Sequence, residues 1–166
     1  MPINIPDGLP AKKTLQEERI FALEEEVAEH QEIRPLRLAI LNLMPKKIQT
    51  ETQILRLISK SPIQVTCDFM RISSHESKNT AADHLVTFYS TFDDFKDKNY
   101  DGLIITGAPI EDLKYEDVDY WDEFCHIVDW SQEHVFSTMY LCWGALAGLY
   151  YLHDIPKKML GAKLFG

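Results

Sequence analysis

One cysteine stands where the chain leaves an apolar strand and enters a helix. In Met139-Tyr140-Leu141-Cys142-Trp143-Gly144-Ala145 the apolar run ends and helix-forming residues begin just after Cys142. A thiol at such a turn lies beside backbone N–H groups that have no partner within the helix. Their partial positive charge favours a thiolate. The same groups can donate to the oxyanion of a tetrahedral intermediate. One short segment can therefore serve both nucleophile and oxyanion, the logic of a nucleophile elbow with cysteine in place of serine. The chemistry would be nucleophilic acyl transfer through a thioester. Spacing alone leaves Cys142 open between this role and that of an inert core thiol, a common fate of free cysteine. Cys125, on the apolar face of a predicted helix, and Cys67, in mid-strand, read as core. Three cysteines without C-x-x-C spacing imply neither a disulfide framework nor a zinc site, so no metal is expected.

Thr106-Gly107-Ala108-Pro109 is the second signal. It follows an apolar strand, and its glycine lets backbone approach a ligand closely. Gly107 and Ala108 could supply a further oxyanion donor beside Trp143, although Gly-Ala-Pro is also an ordinary turn. A nucleophilic cysteine needs a general base, most often histidine. His134 opens a predicted strand at the wrong end of the sheet, His84 and His126 sit on predicted helices, and all read as surface residues. His30 is near the N-terminal arm, and His75 and His153 fall in or beside loops. The base is a loop histidine or is absent from the chain. Lys46 and Lys47 open a helix and could meet phosphates, though a solvated lysine pair explains them as well.

The elements that must position these residues are legible as alternating apolar runs and amphipathic stretches. Residues 1–15 read as an extended arm and 16–30 as an acidic helix with Ile20, Leu23 and Val27 on one face. Strands are predicted at Arg37–Leu43, Ile63–Ile72, Leu103–Thr106 and His134–Leu141. Helices are predicted over 46–60, burying Ile48, Leu55 and Ile58, and over 81–89, 118–130 and 144–152. Asp93–Asn99 reads as solvated. Strands alternating with helices give an α/β fold of three layers, a mostly parallel sheet with helices on both faces. Ligands bind such sheets at the carboxyl ends of the strands, where Cys142 falls.

A chain of 166 residues suffices for one core, and residues 1–30 divide as arm and helix from a main body at 31–166. The formal net charge of −9 argues against nucleic acid as a partner. No run reaches membrane-spanning length, and the start lacks the apolar core of a secretory signal, so the expected location is the cytoplasm. The last residues, KKMLGAKLFG, carry no capping element, the pattern of a piece of a longer protein.

The strings QEIRPLRLAILNLMPKKIQTE (31–51), RISSHESKNTAADHL (71–85) and YDGLIITGAP (100–109) resemble the homoserine O-acyltransferase family. So do LCWGALAGL (141–149) and the start MPINIPDGLPA. This family catalyses the first committed step of methionine synthesis. The resemblance implies a fold like the class I glutamine amidotransferases, of flavodoxin-like type. It implies ping-pong transfer from an acyl-CoA through a thioester on Cys142, with homoserine as acceptor and no permanently bound cofactor. Glu111, in TGAPIED, matches the family position that separates acyl donors: glycine goes with succinyl-CoA, glutamate with acetyl-CoA. A carboxylate there takes up space and repels a succinyl carboxylate, so acetyl-CoA is expected. Lys163 matches the lysine that holds the amino-acid substrate. The full-length family usually forms homodimers. Its catalytic histidine, the glutamate orienting it, and an arginine and a small hydroxyl residue of the substrate site lie downstream of any residue in this chain. The chain is expected to be an N-terminal part or a paralogue that lost its base, in either case inactive alone. A glutamine amidohydrolase would carry glycine two residues before the cysteine, where this chain has Tyr140. A non-catalytic module is the third alternative.

Overall fold

The computed structural model describes residues 3–24, 34–74, 81–158 and 160–161. Four apolar segments form the centre of one parallel sheet: β3 (Leu36–Leu41), β4 (Val65–Met70), β6 (Gly102–Ile105) and β7 (Thr138–Tyr140). β3 lies between β4 and β6, and β7 adds outside β6. In order of appearance these four strands stand 2-1-3-4, a doubly wound arrangement with its switch point between β3 and β6.

The N-terminal segment differs from the expected extended arm. Ile3–Ile5 is a strand, β1, inserted beside β4, and its three side chains are buried. Helix α1 (Ala11–Glu17) follows, and Ala22–Glu24 forms β2 against β1. The acidic helix expected over 16–30 is thus interrupted by a strand at 22–24, and its remainder lies outside the described residues. Leu9, Leu15 and Ala22 are buried with Ile3 and Ile5 in one cluster, so burial overrides helical periodicity here. A two-residue strand, β5 (Tyr89–Ser90), pairs with the carboxyl end of β4, while β1 pairs with its beginning.

Helices cover both faces. Residues alternate across a strand, so Ile40 enters one core while Ala39 and Leu41 enter the other. On the Ile40 side lie α1 and α2 (Lys47–Ile58), with Ile54 and Leu55 buried. Helix α3 (Ala82–Phe88) contributes Leu85 and Phe88 to the same cluster. Ile48 is exposed rather than buried, because α2 turns its Ile54–Leu55 side inward. On the Leu41 side lie α4 (Trp121–His134) and α5 (Trp143–His153). Helix α4 runs four residues beyond its expected end, so His134 closes a helix instead of opening a strand. Asp93–Asn99 is not wholly solvated: Phe95 is buried and stacks on Tyr100. Among the described residues no helix is long and apolar enough to cross a membrane.

Candidate active site

β7 ends at Tyr140, and two residues later the chain turns sharply into α5. Cys142 makes that turn with φ 53° and ψ −120°. A positive φ is rare for a residue with a side chain and costs on the order of 1–3 kcal/mol. What imposes it is packing on both sides. Trp143 is buried against Tyr115, Tyr120 and Phe124 and anchors the first helical residue. Gly144 lies against the end of β6, where a methyl group would meet Thr106 O at 2.7 Å and Ile105 Cγ2 at 3.0 Å. One turn on, a methyl at Gly148 would meet the Tyr140 ring at 2.9 Å. These glycines let α5 rest directly on β6 and β7, and the strained residue between strand and helix is pushed outward. Its thiol is exposed.

The other two cysteines are sealed in the core, as their positions suggested. Burial pushes the Cys67 thiol up to about 12, and burial with Asp129 and Asp122 nearby pushes Cys125 up to about 12. Neither offers a thiolate at neutral pH.

The Thr106–Pro109 turn meets the elbow. A methyl at Gly107 would lie 2.8 Å from Cys142 Cβ, 3.2 Å from Sγ and 3.5 Å from the Trp143 nitrogen. Only glycine permits this approach. Among the described residues, neither the Trp143 nor the Gly107 and Ala108 N–H groups have a hydrogen-bond partner, whereas the next two amides of α5 are used by the turn: Gly144 donates to Leu141 O and Ala145 to Cys142 O. Free donors at Trp143 and Gly107 beside the sulfur are what an oxyanion requires. Thr106 fixes this turn to the neighbouring loop. Its buried hydroxyl accepts from Leu43 N at 2.8 Å and donates to Gly107 O at 3.2 Å.

A crevice of about 930 Å³ opens at the same sheet edge, over the switch point. It runs from Arg71 and Ile72 past Asn42 and Met44 to Ala108 and Pro109. Glu111 is exposed just beyond that turn; its backbone carbonyl accepts from Lys157 Nζ at 2.5 Å. The lysine pair splits. Lys46 is exposed, but Lys47 is buried, and its ammonium donates to Asn42 O at 2.5 Å. Burial lowers the Lys47 pKa to about 8, helped by Arg71 and opposed by Glu51. A solvated pair is therefore wrong for Lys47, which closes the β3–α2 turn from inside.

His84 is a second correction. It is buried on α3, with Nε2 2.9 Å from Glu51 Oε1. Tyr89 donates to the same oxygen at 2.6 Å, and Asn42 Nδ2 donates to Tyr89 Oη at 2.8 Å. This buried polar cluster was not foreseen, since Glu51 and His84 look like surface positions until α2 and α3 close over them. Of the remaining described histidines, His126 and His153 are exposed and His134 contacts Asn99. None of these forms a hydrogen bond with Cys142 Sγ. His30, His75 and Lys163 lie outside the described residues.

The profile of a family described as homoserine O-succinyltransferase matches residues 2–166. The chain belongs to this family. Over all 166 residues it is 64% identical to a homoserine O-acetyltransferase of Bifidobacterium adolescentis, covering 48% of that protein. It is 57% identical to one of Clostridium acetobutylicum and 54% identical to one of Bacteroides fragilis, covering 55% and 54% of them. The chain thus spans about half the length of the curated relatives it matches.

Proposed function

We propose that this chain carries the nucleophile-bearing half of a homoserine O-acetyltransferase of methionine biosynthesis, acting in the cytoplasm. The observation that carries the reading is the exposed Cys142 at a strained elbow, with free Trp143 and Gly107 N–H groups beside its sulfur. The Cys142 thiolate attacks the carbonyl carbon of acetyl-CoA. The carbonyl oxygen becomes an oxyanion held by those amides. As it collapses, the bond to the CoA sulfur breaks and CoA leaves as a thiolate that takes up a proton. The hydroxyl oxygen of homoserine then attacks the Cys142 thioester and gives its proton to a base. The carbon–sulfur bond breaks, releasing O-acetylhomoserine and restoring Cys142. Among the described residues no histidine forms a hydrogen bond with Cys142, and the base that takes this proton is proposed to lie outside them.

The acetyl donor is supported by the names of the relatives and by Glu111, although the family description names the succinyl reaction. Glu111 stands beside the Gly107 turn, where its charge opposes a succinyl carboxylate. Lys163 is proposed to hold homoserine. The only partners proposed are the two substrates and, in the full-length enzyme, a second copy of the chain. Intact-mass spectrometry after incubation with acetyl-CoA tests the first step. One acetyl group on Cys142, absent from Cys142→Ser, is expected. Succinyl-CoA should react at least about tenfold more slowly, and Glu111→Gly should narrow the gap. An unmodified Cys142 in folded protein sinks the reading.

A further inference from the structure

Arg71 stands apart among the described cations. It follows β4 directly, its backbone N–H is held by Ser90 O at 3.0 Å, and its side chain lines the crevice. Its Nε is buried without a hydrogen-bond partner, and its one side-chain hydrogen bond among the described residues, Nη1 to Ile72 O, is long at 3.5 Å. Among the described residues no carboxylate pairs with it, in a chain whose net charge is −9. The crevice acids, Asp117 and Asp119, come from the segment between β6 and α4. A partly buried guanidinium with an unused donor is costly unless something pairs with it. Planar guanidinium suits phosphate oxygens, which it can bind through two donors at once.

Its distance from the nucleophile narrows the ligand. Arg71 follows β4 and Cys142 follows β7, with β3 and β6 between them. Three strand spacings are about 14 Å. Homoserine is too short to reach both. A CoA thioester is not, because its pantetheine arm separates the reacting sulfur from the diphosphate. From Arg71 to Ala108 and Pro109 the crevice wall is largely apolar, with Met44, Ile72, Leu85 and Ile110 lining it. Such a wall suits an extended arm better than it suits free water.

We infer that Arg71 anchors the diphosphate of the acyl donor, with the pantetheine arm lying along the crevice toward the Gly107 turn. This rests on the proposed acyl-CoA reading but is tested apart from the chemistry. Binding of CoA itself, which cannot acylate, is measured by titration calorimetry on the whole chain and on Arg71→Ala and Arg71→Lys, with pantetheine as the probe lacking phosphate. Expected is CoA affinity at least about tenfold weaker in Arg71→Ala, partly restored in Arg71→Lys, with pantetheine binding unchanged by either. Equal loss for both probes would assign Arg71 a structural role and overturn the inference. So would unchanged CoA binding in Arg71→Ala, or no CoA binding by the parent chain. Acylation of Cys142 is read separately: if CoA binds through Arg71 and no thioester forms, the acyl-transfer reading fails while the anchor stands.

Discussion

Cys142 shows how strain and chemistry meet at one residue. Its φ of 53° is a conformation that glycine adopts freely. Cys142→Gly relieves the strain and loses part of that gain to the freer unfolded chain. The net should be about 1 kcal/mol of added stability, seen as a melting temperature a few degrees higher. Cys142→Ser keeps the strain and should melt with the parent. An elbow no more stable as glycine would mean that Cys142 bears no strain. Lys47 offers a second residue-scale prediction. Its folded pKa of about 8 lies below the ordinary lysine value of 10.5, so between these the unfolded chain binds more protons than the folded one. Stability therefore gains from Lys47 as pH rises through this window, and below pH 8 the buried charge is borne in full. Relative to Lys47→Met, the parent should gain about 2 kcal/mol between pH 7 and pH 9.5. The difference between two proteins cancels the opposite trend from Cys67 and Cys125, whose raised pKa values lower stability above about pH 9. Parallel denaturant curves at the two pH values would refute it.

At the scale of elements, the elbow depends on how closely α5 rests on the sheet. Gly148→Ala puts a methyl 2.9 Å from the Tyr140 ring and must displace either the ring or the helix. The expected cost is about 1–3 kcal/mol, together with slower acylation of Cys142. Gly161→Ala, with nothing within 4 Å among the described residues, is the matched control and should change neither quantity. The long apolar strands β3, β4 and β6 were legible because buried parallel strands read as continuous hydrophobic runs. β1 and β2 were not, because three residues each carry no period, and their strand character comes from pairing with β4 and with each other. The elbow was legible as a strand-to-helix junction, but its φ was not. That conformation is enforced by Trp143 and Gly144, which contact residues far along the chain. Glu51 and His84 were missed for the same reason. Nothing local marks a carboxylate as buried, and only the approach of α2, α3 and β5 brings Glu51 its partners.

For the whole molecule, the sheet ends at β7 with no described strand beyond it. The surface there is apolar: Phe136 is 93% exposed, Met139 58%, and Leu146 and Leu149 of α5 41% and 42%. An open parallel edge flanked by exposed hydrophobic side chains pairs readily with another chain. The opposite edge is less inviting. β2 is as short as β7, but it carries Glu24, which is held by Lys12 at 2.5 Å. Self-association of this chain should therefore run through β7, driven by apolar burial and resisted by the net charge of −9. Met139→Lys places a charge on the open edge, a change that natural sheets use to prevent pairing. Sedimentation velocity at rising protein concentration should show the parent associating and Met139→Lys remaining monomeric. Because Met139 is solvent-facing, the melting temperature at low concentration should differ by less than about 2 °C. Association that persists unchanged in Met139→Lys would place the contact elsewhere. A parent that stays monomeric throughout would show that charge outweighs the exposed edge.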